Sequence, residues 1–211
     1  MGQGNIDAAI IGNNLISFFP GMSAREKSDI QDVVTYADLS SSMKFDKQEL
    51  WSSWIFNYRQ RLETHGFKQT SFIVPDSKVL GSPNELGSEI FQIVGSHGSA
   101  RLADMVKKAF SAARINDVVK VFFQQATVSD KGRFMQLVPC EKTASGDVVI
   151  LFCGIYLSFS ADALHADGKR VILYIRGGRY LFKSDVYASR RDAVSTYLDN
   201  RMDQILTHTK L

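Results

Sequence analysis

Cysteine is scarce in this chain: there are two in 211 residues, Cys140 and Cys153. That excludes a disulfide-stapled scaffold. Cys153 lies inside an apolar run and reads as a small buried hydrophobe. Cys140 follows Pro139 at a strand end, where a side chain is free to be exposed. A bridge between the two requires neighbouring strands, and a cytoplasmic origin argues against it. Long hydrophobic runs are lacking as well. No stretch reaches the roughly 18–20 apolar residues of a membrane-crossing helix. The N-terminus has no secretory pattern, because its first basic residue is Arg25 and Asn13-Asn14 interrupt the apolar stretch. Cytoplasmic synthesis is the expectation, with export by a route without a cleaved signal left open. Charge of one sign is not in excess either. A net charge of +3 gives nucleic acid no electrostatic pull, so no nucleic-acid partner is expected.

Catalytic signatures are also missing. The four histidines, His65, His97, His165 and His208, lie far apart, with no pair at metal-ligand spacing. No phosphate loop, nucleophile elbow or dinucleotide fingerprint is present, and the carboxylates stand at helix starts, where they already have a capping role. His65 sits near a helix C-terminus, where the macrodipole accounts for it. His97, in the break Gly95-Ser96-His97-Gly98-Ser99, is the histidine placed most like an active-site residue. No catalytic residue, metal or cofactor is assigned. An enzyme whose groups converge only in the fold stays open as the third reading.

What the chain does have is aromatic surface, with fourteen Phe, and one stretch that organises the rest. Asp147 to Ala161 is apolar, β-branched and aromatic with no alternation, which predicts a central strand covered on both faces. Around it, the spacing predicts a short helix over 5–19, ended by Pro20-Gly21. A capping box at Ser23/Glu26 opens a helix with Ile30, Val33, Val34 and Ala37 inward. Asp46/Glu49 repeats that signal for a helix carrying Leu50, Trp51, Trp54, Ile55, Tyr58 and Leu62, stopped by Gly66. Phe67–Val74 is a short strand closed by Pro75-Asp76. Ser82-Pro83 starts a third helix, with Leu86, Ile90, Ile93 and Val94 inward before Gly95. A fourth bears Leu102, Val106, Ala109, Phe110 and Ala113. From Asp117 the period turns strand-like: Val118–Val128 and Arg133–Val138 flank hairpin chemistry at 129–132. Arg170–Ile175 and Arg179–Phe182 flank a two-residue Gly177-Gly178 turn. A long helix capped by Ser184 or Asp185 ends the chain, with Val186, Val194, Tyr197, Leu198, Met202, Ile205 and Leu206 as its stripe. The expected fold is a single α+β domain over residues 1–211. It is a three-layer α/β/α arrangement in which two helical hairpins and a long C-terminal helix cover a mostly antiparallel sheet.

One basic cluster stands out: Lys169, Arg170, Arg176, Arg179, Lys183, Arg190 and Arg191 all fall in the last strands and the following helix. Sharing a face, Arg170, Arg176, Arg179, Lys183, Arg190 and Arg191 would suit an anionic membrane surface or an acidic partner; the alternative is a solvated edge that resists pairing with another copy. Trp51, Trp54 and Tyr58, at helical spacing on an apolar face, read as core rather than as an interfacial anchor.

Lys44-Phe45-Asp46, then Trp51, Trp54, Tyr58, Leu62 and Gly66, with Pro139-Cys140 before the Gly146-Asp147 turn and Val186-Tyr187-Ala188 near the end, resembles a pattern in small bacterial and fungal proteins. The resemblance spans roughly residues 44–206 and brings no chemistry. Phe67 replaces the tryptophan of that pattern, and no functional residue is carried over. The predicted topology, two helical hairpins enclosing an antiparallel sheet, is similar to that of the Cyt-type cytolysins and the fungal cardiotoxic haemolysin. That likeness implies a non-catalytic, toxin-like protein acting in virulence, whose helices move aside so that long strands enter a bilayer. The central strand exceeds the roughly 9–11 residues a tilted membrane strand needs, although a barrel wall also wants one polar face. The second reading is a partner-binding or self-assembling protein without enzymatic activity, a homo-oligomer in its assembly form.

Overall fold

The computed structural model describes residues 7–11, 14–100, 102, 104, 115–128, 132–159 and 170–201. The fold is α+β. Six strands, β1 (Asp7–Ile11), β2 (Asn14–Phe18), β3 (Phe67–Leu80), β4 (Arg133–Lys142), β5 (Val148–Phe159) and β6 (Val171–Phe182), lie in the order β1-β2-β4-β5-β6-β3. All neighbours are antiparallel except β2 and β4, which run parallel. The described helices are α1 (Ala24–Ser42), α2 (Trp51–Thr64), α3 (Pro83–His97), α4 (Ile115–Val128), α5 (Ser184–Ala188) and α6 (Arg191–Asp199).

The apolar run does form an inner strand. β5 is bonded to β4 on one side and β6 on the other, and Val149 and Leu151 are buried. Period-two alternation splits its side chains between two cores. Val148, Ile150 and Phe152 join residues of α1, α2, α5 and α6. Leu151, Cys153, Ile155 and Leu157 join residues of α3 and α4. The same alternation separates the thiols: Cys140 belongs to the first core and Cys153 to the second. Both are free and buried, so Cys140 is not at the surface. Burial raises both thiols, Cys153 to about 12, so neither is a ready nucleophile.

Local signals hold where they are self-contained. Ser23 and Glu26 form the capping box, Ser23 Oγ accepting from the Glu26 N–H at 3.2 Å and Glu26 Oε2 from the Ser23 N–H at 2.7 Å. Burial pushes the Glu26 carboxyl up, but Lys142 Nζ at 2.7 Å and the Ser23 donors outweigh it and hold it below its ordinary value. Ser82 caps α3, with Pro83 in its first turn.

Elsewhere long-range pairing overrides local pattern. Residues 7–11 and 14–18 are strands, not a helix. The whole of β2 is buried, and its parallel pairing with β4 supplies the partner that periodicity does not reveal. Val118–Val128 is part of α4, not a strand: Phe122 and Ala126, one turn apart, are buried with Phe123 against the second core. β3 continues through Pro75 to Leu80. As the edge strand it tolerates a proline at the register shift between Ile73 and Asp76. Gly177-Gly178 is not a turn; it lies in the middle of β6, where a Cβ on Gly177 would stand 1.9 Å from the Phe152 carbonyl oxygen. Asp46 accepts from the Gln48 and Glu49 N–H groups, so α2 starts only at Trp51 and Leu50 is exposed rather than inward. α3 runs through Gly95 to His97. The C-terminal helix is broken at residues 189–190 into α5 and α6, and its predicted continuation through Met202, Ile205 and Leu206 lies outside the described residues. So does most of the helix predicted around Val106, of which Leu102 and Asp104 are described as helical.

The first core is an aromatic stack. Trp54 stacks on Tyr58 at 5.0 Å and Tyr58 on Phe152 at 4.9 Å, joining α2 to β5. Trp54 Nε1 donates to Ser42 Oγ at 3.0 Å, tying α2 to α1. Both tryptophans are therefore core residues. In the middle of α1, burial raises the Asp32 carboxyl from its ordinary value near 3.8 to about 6; the neighbouring Asp29 charge adds to this, Arg191 opposes it and Asp199 adds again. A carboxyl so raised contributes stability that is full below about pH 4 and lost as pH rises through about 6. Asp32→Asn is accordingly expected to stabilise the protein by roughly 1 kcal/mol at pH 7 once solvent screening is allowed for, with the gain vanishing below about pH 4. Denaturant melts of both proteins across that window check it.

Candidate functional site

The six basic residues do not form one surface. Arg176 pairs with Gly154, at which a Cβ would meet Ile55 of α2, so Arg176 lies on the α2 side of the sheet. Arg179 pairs with Leu151, which belongs to the opposite core. Arg170 is half-buried just before β6. Lys183 is the N-cap of α5 and bonds through its backbone to Gly66 at 2.7 Å and Tyr187 at 3.1 Å. Arg190 is exposed at the α5–α6 break. Arg191 is engaged internally, gripping both oxygens of the buried Asp29 at 2.8 Å and lying 5.3 Å from the Tyr187 ring centre. Lys169 lies outside the described residues.

Of the six, Arg176 opens onto a cavity. A groove of about 410 Å³ runs between the start of α2 and the ends of β5 and β6. The chain after Asp46 turns and enters α2 at Leu50, which offers no side-chain cap. Trp51, the first helical residue, points back toward the sheet and stacks on Tyr156 at 5.3 Å, with Tyr174 a further 6.1 Å on. The Arg176 guanidinium lies over the Trp51 ring at 5.2 Å. Tyr156 is fixed by donating its hydroxyl to the Gln48 carbonyl at 2.8 Å. Burial, then the neighbouring Tyr174 and Asp46, push that phenol up, so it stays neutral. Ser52, Ser53 and Ser158 complete the walls, and Glu49 is the carboxylate among the lining residues.

The groove holds several donors that no described residue engages. Arg176 makes no hydrogen bond or ion pair to any described residue. Trp51 is 6% exposed and its Nε1 has no acceptor among them. The N–H groups of Ser53 and Trp54 reach the Leu50 carbonyl at 3.0 and 2.9 Å, whereas those of Trp51 and Ser52 have no acceptor among the described residues. Sequence reasoning singled out Arg176 and Trp51 separately, and passed over Tyr156, Tyr174, Ser52 and Ser53. The one signal for them was the shared parity of Tyr174 and Arg176 on β6.

A second cleft, about 300 Å³, lies between α3 and the bulge of β3, and His97 lines it with Asp76, Ser96 and the Lys78–Glu89 ion pair. His97 makes no hydrogen bond to a described residue, so it is not joined to a nucleophile or an orienting carboxylate there. His65 is the C-cap of α2, with Nδ1 2.7 Å from the Arg61 carbonyl. His165 and His208 lie outside the described residues. Among the described residues no group of three or more His, Cys, Asp or Glu could hold a metal ion, and no helix is long and apolar enough to cross a membrane.

No family profile matches the chain, and no curated protein matches its sequence. Among solved structures it is similar to that of the Evf virulence factor, with 12% identity and a TM-score of 0.40 over 95% of this chain and 84% of that one. It is also similar to a delta-endotoxin, with 6% identity and a TM-score of 0.42 over 89% of this chain and 93% of that one.

Proposed function

We propose that this is a non-catalytic, membrane-active protein whose α1–α2 layer lifts from the sheet so that long strands enter a bilayer. The observation that carries this reading is the run β4-β5-β6-β3: four successive antiparallel strands of 10, 12, 12 and 14 residues. Each matches or exceeds the roughly 9–11 residues that a tilted strand needs to cross the hydrocarbon core. Apart from the outer edge and register shifts of β3, their backbone groups are paired with one another, so removing a helical layer exposes chiefly side chains rather than unpaired peptides. The two cores on opposite sides of β5 support the three-layer α/β/α arrangement on which such a release depends.

One layer is better suited to leave than the other. Gln136 is fully buried, and neither end of its amide has a partner among the described residues. By alternation with Phe134 and Val138 it faces the α1–α2 side. The hydroxyls of Tyr58 and Tyr187, in the same core, are also unpartnered. Each such group costs about 1–3 kcal/mol while it stays buried, a cost relieved if the layer lifts.

The test is dye release from lipid vesicles. Release is expected from the unmodified protein, and Gln136→Met is expected to raise stability by about 1–3 kcal/mol while slowing release. Absence of both vesicle binding and release, across neutral and anionic compositions, would remove the proposal.

A further inference from the structure

We propose that the groove beside Trp51 binds a phosphate group, with Arg176 as its principal contact. The Arg176 guanidinium lies 5.2 Å from the centre of the Trp51 indole, and its N–H groups bond to no described residue, so they are available to grip an oxyanion. Two other donor sources lie around the same space: the Ser52 and Ser53 hydroxyls and the unengaged backbone N–H groups of Trp51 and Ser52; Trp51, itself a lining residue, also keeps a buried Nε1 with no partner among the described residues. Donors from separate elements, rather than one planar fork, suit a tetrahedral anion. The helix start carries no side-chain cap and no acid in its first turn, so no residue of that turn answers its partial positive charge. Glu49, exposed on the lining, and Asp46, whose charge reaches Tyr156, are the opposing charges.

The groove also has room for more than a bare anion. Its volume, about 410 Å³, leaves space for whatever carries the phosphate, and Leu50, which lines it, is 51% exposed and offers that carrier apolar contact. A phosphomonoester on a lipid headgroup and a free phosphate share this chemistry. The headgroup source rests on the membrane reading above, whereas the phosphate site itself does not.

Isothermal titration with inorganic phosphate at constant ionic strength, with acetate as the control anion, tests the site. Sedimentation with vesicles of phosphatidylcholine alone, or mixed with phosphatidic acid, tests the source. The expected result is saturable phosphate binding that exceeds acetate binding, weakened about tenfold or more in Arg176→Gln and unchanged in Arg179→Gln, whose residue lies on the other face. Ser53→Asp places a carboxylate in the first turn of α2, where it favours the helix, and is expected to abolish binding without unfolding; Glu49→Gln is expected to tighten it. Preference for phosphatidic acid vesicles with the same Arg176 dependence assigns the headgroup source, and phosphate binding without it assigns the free ligand. Phosphate binding in a protein that releases no dye would leave the site standing and remove only the membrane reading. No saturable phosphate binding, binding equal to acetate, or binding indifferent to both Arg176→Gln and Ser53→Asp would overturn the site.

Discussion

Gly177→Ala is expected to destabilise the protein by about 4 kcal/mol or more, enough to lower the melting temperature by about 10 °C. The added carbon would sit 1.9 Å from the Phe152 oxygen and 2.9 Å from its carbonyl carbon. Both are backbone atoms of β5, the strand that belongs to both cores, so neither can turn aside as a flexible side chain would. The alternative is to part β5 from β6 at a point where every residue from Val148 to Phe159 is paired. Gly87→Ala is the matched control. That glycine lies inside α3 with nothing within 4 Å of its added carbon, and the change should stabilise by about 0.5–1 kcal/mol through helix propensity. Thermal or denaturant melts of the pair decide the matter. A Gly177→Ala protein melting within about 2 °C of the unmodified one would refute the close approach of the two strands.

Breaking the Arg191–Asp29 pair has the next largest expected effect. Asp29 is 4% exposed on α1, and both its oxygens accept from Arg191 of α6 at 2.8 Å. Arg191→Met leaves that carboxylate buried without its counter-ion, which costs about 3 kcal/mol. Arg191 also offsets the mutual repulsion of Asp29, Asp32 and Asp199, so its loss is expected to hurt more at pH 7 than near pH 4. The double variant Asp29→Asn with Arg191→Met should recover most of the stability, since replacing both charges removes the unpaired ion. Denaturant titrations of the four proteins form the cycle. Losses that simply add would show the two side chains to be energetically independent.

How much of this was legible in the sequence depends on the range of the interaction. The Ser23/Glu26 box and the Ser82 cap complete themselves within four residues, and both are present as read. The inner position of β5 was legible because an apolar run without alternation has few other uses. β2 was not, since Leu15, Ile16 and Phe18 suit a short helix until β4 arrives to pair with them. Nor was α4, whose valines and phenylalanines carry strand propensity, while Phe122 and Phe123 pack into the second core. The glycines of β6 look like a turn because the reason for them, the close backbone of β5, is a tertiary fact. The groove was half visible for the same reason. Trp51 and Arg176 each stood out as a residue type, but the cation–π contact between them joins a helix start to a distant strand.

The parallel pairing of β2 with β4 bears on how the chain is made. Residues 14–18 leave the ribosome long before residues 136–140, the partners that complete their ladder, and β3 waits likewise for β6. Through that interval both segments have open hydrogen-bonding edges, which slows folding and invites association between nascent chains. Binding by a holdase during synthesis is the ordinary remedy for such exposure, and production yield should follow its supply more closely than it follows the stability of the finished fold.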